Sequence, residues 1–302
     1  MIQVENLRKS FGAVQAVDTI TFRVSPGEIY GLLGPNGAGK TTTISCISGL
    51  LKPDAGQVSI DDADLSIDPL RARRVLGIVP QETAIYDTLT ARENVSYFAA
   101  LHGLGGAERR KRVGLAAESK QSSKKFSGGM KRRLNLAIGL VSDPKVLLLD
   151  EPTVGIDPQA RIHILDVVRD VQRQGTAILY TTHYLEEAES LCDRIGIMDH
   201  GRILAEGTIP ELRRRVGEGT VVTLKGRFSA ETLRSVLPAN GVAQVIALED
   251  NSAVLSVRGE SGPASEILSA VLKAGIELTD ITMQEPTLQN LFIKLTGRDL
   301  RD

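Results

Sequence analysis

A glycine-rich loop between a strand-like run and a helical pattern restricts the fold of this chain more than any other feature. The loop has the sequence GPNGAGKTT, follows the strand-like run Glu28–Leu33, and matches the pattern G-x-x-x-x-G-K-[ST]. Its glycines let the backbone turn several N–H groups towards one point, and the N-terminus of the next helix adds a partial positive charge. The loop therefore predicts a phosphate-binding site lined by Gly34, Pro35, Asn36, Gly37, Ala38, Gly39, Lys40, Thr41 and Thr42.

Lys40 and Thr41 distinguish two interpretations of this loop. An ordinary glycine-rich turn that caps a helix would also explain the glycines. However, a cation in the first turn of a helix opposes the helix macrodipole unless an anion neutralises it. A bound nucleotide supplies that anion, because Lys40 would reach the β- and γ-phosphates and the Thr41 hydroxyl would ligate Mg²⁺. We therefore predict nucleotide binding.

Short apolar runs alternate with longer amphipathic ones through most of the sequence. Such alternation predicts an α/β domain with a mainly parallel sheet, preceded by a β-rich opening. The predicted strands are Ile2–Leu7, Thr19–Val24, Glu28–Leu33, Val75–Val79, Val146–Leu149, Ala177–Tyr180 and Arg194–Met198. The predicted helices are Thr41–Leu50, Lys131–Val141, Ala160–Gln174 and Leu185–Leu191.

The pattern changes near residue 217, and the remainder of the chain predicts a second, smaller domain. Its elements follow the β-α-β-β-α-β order of a ferredoxin-like α+β unit and end in one more helix. We therefore predict domains at 1–217 and 218–302. The predicted strands are Thr220–Lys225, Ala243–Leu248, Ala253–Val257 and Glu277–Met283, and the predicted helices are Ala230–Val236, Ala264–Ala274 and Leu288–Leu295.

Two acidic residues follow directly on one of the predicted strands, in the segment KVLLLDEPT. A buried parallel strand delivers the residues after it to the carboxyl edge of the sheet, where ligands bind in such folds. Asp150 suits an outer-sphere position at Mg²⁺, and Glu151 suits a general base that polarises water for attack on the γ-phosphate. The alternative is an acidic turn after a core strand, which the neighbouring phosphate loop makes the weaker interpretation.

Two further polar side chains are expected at the same edge of the sheet. His183 follows the strand Ala177–Tyr180 and is suited to bind a γ-phosphate or to align water. Gln81 follows the strand Val75–Val79 and could reach the magnesium ion or its water. A capping or core role is the alternative for His183, and a glutamine after a strand is weak evidence by itself.

The segment FSGGMKRR contains a second helix start that is suited to bind an anion. Ser127, Gly128 and Gly129 precede the helix predicted at Lys131–Val141. Because the chain has one phosphate loop, two such helix ends suggest that two copies face each other head to tail. Each copy would then close its Ser127–Gly129 segment over the nucleotide of the other. The alternative is a simple helix cap with permissive glycines.

Charge and hydropathy narrow the range of partners and locations. The formal net charge of −1 gives no indication of nucleic acid or of an anionic membrane surface as a partner. The sequence shows neither a signal peptide nor an apolar run of the ~18 residues that a membrane span needs. We therefore expect a cytosolic protein unless a partner holds it at a membrane, with Cys46 and Cys192 as buried free thiols.

Taken together, these motifs resemble the nucleotide-binding subunits of ABC transporters over about residues 1–217. The matching motifs are Walker A at Gly34–Thr42, the Q-loop at Gln81, the LSGGQ signature at Phe126–Met130, Walker B at Val146–Glu151, the D-loop at Gly155-Ile156-Asp157 and the switch histidine at His183. Phe11, followed by Gly12, matches the aromatic residue that stacks on adenine. The resemblance implies a P-loop NTPase fold of the ABC type, with an N-terminal antiparallel β part and an α-helical subdomain at about residues 82–140.

Within that family the chain is similar to the daunorubicin-resistance type, the ATPases of export systems for drugs, polysaccharides and lipids. This similarity rests on the segment SGGMKRRL, on the added C-terminal region and on the ending EPTLQNLFIKLTGRDLRD. It implies ATP hydrolysis with Mg²⁺, a head-to-tail dimer around two ATP molecules, and a separately encoded transmembrane permease. The ATPase would then lie on the cytoplasmic face of the cell membrane, held there by its permease.

The sequence departs from the family pattern around the signature. Phe126 stands where leucine is usual, and Met130 stands where glutamine is usual. The lead-in Gly105–Lys125 is about two helical turns (~7 residues) short, so the helical subdomain is expected to be shortened. Two other functions therefore remain open: an ABC-type ATPase that acts outside transport, and a regulatory subunit with impaired hydrolysis.

Overall fold

The structure, a computed structural model, describes residues 1–104, 121–217, 219–237, 243–257 and 261–297. The chain divides into two compact units, Met1–Glu206 and Gly207–Asp302. Most of the lead-in that the sequence predicts to be shortened, residues 105–120, lies outside the described ranges. Within those ranges, no helix combines the length and the apolar character that crossing a bilayer requires.

A six-stranded, mainly parallel sheet forms the centre of the first unit. Its strands are β3 (Ile29–Leu33), β6 (Leu76–Val79), β7 (Val146–Asp150), β8 (Ala177–Thr182), β9 (Arg194–Asp199) and β10 (Arg202–Gly207). They lie in the order β10-β9-β3-β8-β7-β6, and the four strand pairs from β9 to β6 are parallel. The predicted mainly parallel sheet is thereby confirmed.

The register of this sheet brings the predicted site residues to one edge. All residues of β3, β7 and β8 are buried, as expected for apolar runs that are covered on both faces. Leu33 pairs with Thr182, and Asp150 pairs with Thr181. The residues that follow these strands therefore leave the sheet at the same level.

A second, antiparallel sheet is formed by the N-terminal part of the chain. It contains β1 (Ile2–Phe11), β2 (Val14–Val24), β4 (Ala55–Ile60) and β5 (Ala63–Asp64) in the order β2-β1-β4-β5. The first two strands extend beyond the predicted runs because a tight hairpin joins them. Phe11 pairs with Val14, and Gly12 turns the chain with φ +60°.

Six described helices complete the first unit: α1 (Lys40–Ile47), α2 (Pro69–Arg74), α3 (Ala91–Leu101), α4 (Gly128–Gly139), α5 (Pro158–Arg173) and α6 (Leu185–Leu191). Helix α4 starts at Gly128, three residues before its predicted start, because the Ser127 hydroxyl accepts the N–H of Met130 at 3.3 Å and caps the first turn. The sequence reasoning missed α2 and α3, although Thr90 and Glu93 form a capping box at the start of α3.

The second unit contains the predicted ferredoxin-like arrangement. Its elements are α7 (Ile209–Val216), β11 (Thr220–Arg227), α8 (Ala230–Val236), β12 (Ala243–Glu249), β13 (Ser252–Val257), α9 (Ser261–Lys273), β14 (Glu277–Gln284) and α10 (Leu288–Thr296). The strands form one antiparallel sheet in the order β12-β13-β11-β14. An apolar core that includes Val222, Leu255 and Ile267 joins the sheet to its helices.

Helix α7 lies in the second unit, although the sequence pattern groups it with the first. It packs against α10, where the Lys294 ammonium donates hydrogen bonds to the carbonyl oxygens of Arg215 at 3.1 Å and Val216 at 3.0 Å. The boundary between the two compact units, at residues 206 and 207, therefore lies before α7, whereas the boundary predicted from the sequence, between residues 217 and 218, lies after it.

Candidate active site

The phosphate loop connects the carboxyl end of β3 to the first turn of α1. Gly37 and Gly39 have φ values of 81° and 105°, in the left-handed region that side chains disfavour. A Cβ atom at Gly34 would lie 2.1 Å from the carbonyl oxygen of Met198. All three positions therefore require glycine for the backbone path of the loop. Of the remaining loop residues, Pro35 and Ala38 are buried, Thr42 is half-buried, and Asn36 and Thr41 are exposed.

Lys40 places a buried positive charge inside this loop. Its side chain is only 4% exposed, and its ammonium donates to the carbonyl oxygens of Gly34 at 2.7 Å and Pro35 at 2.9 Å. The same ammonium forms an ion pair with Oε1 of Glu151 at 2.9 Å. A buried cation needs such partners, because transfer of an unpaired charge out of water is very costly.

Glu151 brings residues from four separate motifs together. One carboxylate oxygen pairs with Lys40, while the other lies 3.2 Å from Nδ1 of His183 and 3.4 Å from Nε2 of Gln81. The side chain is 4% exposed, so these contacts replace most of its water. The structure thus joins the three residues that the sequence predicts to be catalytic, and it adds Lys40 to them.

The backbone of Glu151 is held in an unusual conformation. Its φ of 45° lies in the left-handed region, which costs a non-glycine residue about 1–2 kcal/mol. The N–H of Glu151 donates to the backbone carbonyl of Thr181 at 3.2 Å and to the Thr181 hydroxyl at 3.1 Å. Such strain occurs at functional sites, where it directs a side chain that a continuing strand would turn elsewhere.

Asp150 lies beside Glu151 in a different electrostatic setting. Burial raises the pKa of the Asp150 carboxyl, and hydrogen bonds from the hydroxyls of Thr181 and Thr41 counteract part of that rise. The Thr181 bond is 2.7 Å long. Asp150, Thr41 and Gln81 together offer carboxylate, hydroxyl and amide oxygens, which are the ligand types that Mg²⁺ prefers.

Helix α4 holds both ends of the segment that contains Gln81, a contact that the sequence reasoning missed. Asn135, which is 1% exposed, donates to the carbonyl oxygen of Pro80 at 3.2 Å and accepts the N–H of Ala84 at 3.1 Å. Arg132 donates to the same Pro80 carbonyl at 3.3 Å. The only signal in the sequence was an asparagine at a position in α4 where an apolar residue would fit the helix pattern.

The signature residues form a second cluster with the D-loop of the same chain. Ser127 and Gly128 are exposed, whereas Gly129 is buried. A Cβ atom at Gly129 would lie 3.1 Å from Oδ2 of Asp157, so the two segments touch. Asp157 caps α5 by accepting the N–H of Ala160 at 2.9 Å. In the described part of the chain, no hydrogen bond or ion pair links Ser127 or Asp157 to Lys40 or Glu151.

Phe11 stands at the tip of the β1–β2 hairpin with half of its side chain exposed. The Lys9 ammonium lies 5.6 Å from the centre of its ring and is held by Asp54 at 2.8 Å. The hairpin runs close to the phosphate loop, since a Cβ atom at Gly39 would lie 2.2 Å from the carbonyl oxygen of Ala16. An exposed aromatic ring at the tip of a hairpin that contacts the loop through Ala16 is suited to stack on a nucleotide base.

Comparison with known protein families and relatives agrees with this geometry. Residues 17–154 match the family described as ABC transporter, and residues 207–296 match the C-terminal domain described as ATP-binding protein DrrA1-3-like. The linearmycin resistance ATP-binding protein LnrL of Bacillus subtilis (strain 168) is 43% identical over an alignment of 313 positions, which covers 100% of both chains. The daunorubicin resistance ATP-binding protein DrrA3 of Streptomyces coeruleorubidus is 39% identical over 99% of this chain and 97% of its own.

Solved structures with the same fold are nucleotide-binding cassettes. The ATP-binding subunit of an ABC transporter is 33% identical, with a TM-score of 0.66 over 71% of this chain and 92% of the other. A dimeric ATP-binding cassette in a post-hydrolysis state, bound to ADP and Pi, is 28% identical, with a TM-score of 0.62 over 69% of this chain and 98% of its own.

Proposed function

This chain belongs to the family of ABC transporter ATP-binding proteins, and on that premise we propose that it drives export through a separate membrane permease, as one half of an ATP-switched dimer. The chain is an ATPase with a DrrA-like C-terminal domain. The observation that carries the residue assignments is the arrangement around Glu151, where a buried carboxylate meets Lys40, His183 and Gln81.

Glu151 is the proposed general base for ATP hydrolysis. A water oxygen attacks the γ-phosphorus, the bond from that phosphorus to the bridging oxygen of ADP breaks, and the water proton passes to Glu151. Lys40 has to release Glu151 before this step, because their ion pair occupies one carboxylate oxygen. The β- and γ-phosphates of ATP carry more negative charge than one carboxylate and would draw the Lys40 ammonium towards them. His183 would align the water or bind the γ-phosphate from the other side of Glu151.

Mg²⁺ is the proposed metal partner of ATP. Thr41 and Gln81 would hold it directly, and Asp150 would act through its water ligands. The raised pKa of Asp150 fits this assignment, because a nearby cation would favour the charged carboxylate that burial disfavours. When bound, the ion would neutralise charge on the β- and γ-phosphates.

Ser127–Gly129 and Asp157 are proposed to complete the ATP site of a second copy. They form a cluster at two helix N-termini, where backbone N–H groups and helix dipoles favour an anion. ATP would then contact both chains only in the closed dimer, which gives it the differential affinity that closure requires. Phe11 would stack on the adenine from its own chain.

The segment after Gln81 is the proposed contact to the permease. Tyr86 and Tyr97 are 47% and 43% exposed, and their rings pack edge to face at 5.0 Å; Leu101, four residues after Tyr97 on α3, is also exposed. Asn135 on α4 accepts the N–H of Ala84 in this segment, so a rearrangement at the ATP site would also displace Tyr86 and Tyr97. The permease would hold the chain at the cytoplasmic face of the membrane. We propose antibiotics as the cargo class, following the resistance named for the relatives, with cargo recognition by the permease.

The Glu151→Gln variant tests this function. It is expected to bind ATP and to accumulate as a dimer in ATP, while hydrolysis falls at least ~10²-fold, the scale of a lost general base. Size-exclusion chromatography with ATP and with ADP measures the dimer, and phosphate release measures turnover. Ser127→Arg, which places bulk and charge at the proposed interface, is the matched control and should abolish the ATP-dependent dimer. Normal turnover of Glu151→Gln would contradict the assigned base, and co-purification of the chain with ribosomes instead of membranes would contradict the transport role.

A further inference from the structure

Glu187 is a buried carboxylate that the proposed catalytic steps do not use. It lies on α6, four residues after His183, and is only 2% exposed. A carboxylate in such a place needs several hydrogen-bond donors, because desolvation of an unpaired charge is very costly. Its partners therefore indicate what the residue is for.

Three hydroxyl groups donate to the Glu187 carboxylate. Oε1 accepts from the Thr153 hydroxyl at 2.6 Å, and Oε2 accepts from the Tyr180 hydroxyl at 2.9 Å and the Thr182 hydroxyl at 3.0 Å. All three donors are buried. Because a carboxylate offers about four acceptor positions, these bonds nearly saturate it.

The hydroxyl donors come from the two chain segments that carry the catalytic pair. Thr153 follows Glu151 by two residues, and Thr182 directly precedes His183. The Thr182 hydroxyl also accepts the backbone N–H of Tyr184 at 2.9 Å, so the turn around His183 is fastened on both sides. Glu187 thus ties together the segments whose side chains meet in the 3.2 Å contact between His183 and Glu151.

Arg161 adds a link from the D-loop helix to the same cluster. Its Nε lies 3.4 Å from Oε1 of Glu187, and its guanidinium carbon lies 4.8 Å from the centre of the Tyr184 ring. The same Tyr184 ring also contacts His183, whose ring centre lies 4.2 Å away with the two ring planes tilted by 43°. Arg161 is in the first turn of α5, which starts after the capping residue Asp157.

From these contacts we infer that Glu187 is a positioning residue for hydrolysis, which holds His183 against Glu151 and connects both to the D-loop helix through Arg161. This inference rests on the roles proposed above for His183 and Glu151. Glu187 does not touch the phosphate loop in the described contacts, so it acts on the chemical step and leaves nucleotide binding unchanged.

The first experiment compares Glu187→Gln with Glu186→Gln in the purified full-length chain. Glutamine keeps the size of Glu187 but cannot accept at its amide nitrogen, so one hydroxyl loses its acceptor and the neighbouring segments shift. A displacement of about 1 Å at reacting groups costs up to about 10²-fold. We therefore expect kcat for ATP to fall between ~10-fold and ~10²-fold with KM for ATP unchanged. Glu186 is exposed on the same helix, and its variant should keep wild-type kcat and KM.

A double-mutant cycle with His183→Ala separates positioning from general loss of structure. If Glu187 acts through His183, the Glu187→Gln change lowers kcat in the wild-type background but has little effect when His183 is absent. Equal losses in both backgrounds would overturn the inference. Normal turnover of Glu187→Gln together with impaired turnover of His183→Ala would also overturn the inference, but it would leave the proposed function intact. Normal turnover of His183→Ala would instead refute the role proposed for the histidine itself.

Thr153→Val keeps the inference testable if Glu187→Gln does not fold. Valine has nearly the shape of threonine, and the change removes the 2.6 Å bond to Oε1 of Glu187 together with the weak 3.5 Å contact to the Tyr180 hydroxyl. A smaller fall in kcat is expected, with the same dependence on His183. Wild-type kcat of a folded Thr153→Val variant would overturn the inference in that case.

Discussion

The buried ion pair between Lys40 and Glu151 leads to a quantitative prediction for the stability of the nucleotide-free protein. Removing one partner of a buried pair typically costs about 3–5 kcal/mol, because the other charge is left uncompensated. In Lys40→Met, Glu151 keeps its contacts to His183 at 3.2 Å and Gln81 at 3.4 Å, which offset part of that penalty. We therefore expect a loss of about 3 kcal/mol in the free energy of unfolding, at the lower end of the range.

Neutralising the second partner should recover part of this loss. In the double variant Lys40→Met with Glu151→Gln no charge of the pair remains buried, and paired removal of such charges is often close to neutral. The double variant should therefore be more stable than Lys40→Met alone, with a coupling energy of about 1–2 kcal/mol. If electrostatic attraction stabilises the pair, the double variant must lose less stability than the sum of the two single losses.

Urea unfolding followed by far-ultraviolet circular dichroism measures both effects, since the chain contains no tryptophan. ATP with Mg²⁺ at 100 times its Kd should add about 2.7 kcal/mol to the stability of the wild-type protein and nothing to that of Lys40→Met. Additive losses in the double variant would refute the reasoning about the pair, and stabilisation of Lys40→Met by ATP would refute the role of Lys40 at the phosphates.

Three further predictions follow from single contacts. Asp150→Asn should raise the unfolding midpoint of the nucleotide-free protein at pH 7 and abolish Mg²⁺-dependent hydrolysis. Because burial raises the folded-state pKa of Asp150, its charged form destabilises the wild-type fold at pH values above the unfolded-state pKa. In a thermal-unfolding series, the higher midpoint of the variant should therefore disappear as the pH falls below that unfolded-state pKa. Asn135→Ala removes a hydrogen-bond partner from the Pro80 carbonyl and from the Ala84 N–H. We expect the free energy of unfolding, measured with urea, to fall by about 1–3 kcal/mol and ATP hydrolysis to become slower. An unchanged stability and an unchanged rate of hydrolysis would contradict the importance of these two contacts. Phe11→Ala should weaken ATP binding by about 1–3 kcal/mol, the scale of base stacking, while Phe11→Tyr keeps the affinity in a calorimetric titration; equal affinities for both variants would exclude stacking.

Much of the fold was predictable because its signals are local. The β-α-β-β-α-β order of the second unit and the buried strands β3, β7 and β8 appeared in short apolar runs whose burial depends on their own composition. Helices α2, α3 and α7 are not predicted from the sequence pattern, since their boundaries depend on capping contacts. The start of α4 was misplaced for the same reason, because glycines at its first turn conceal a helix that Ser127 caps.

The sequence alone is sufficient to predict the phosphate loop, because the backbone path of adjacent glycines and the start of the following helix depend on contiguous residues. It also indicated that Glu151, Gln81 and His183 leave strands at one edge. The partners of these side chains depend on tertiary packing: Lys40 pairs with Glu151, Asn135 bonds both ends of the segment that contains Gln81, and Glu187 accepts the hydroxyl of Thr182 next to His183. Such contacts depend on the order β3-β8-β7-β6 and on the packing of α4 and α6, which join residues far apart in the chain and leave no local pattern in the sequence.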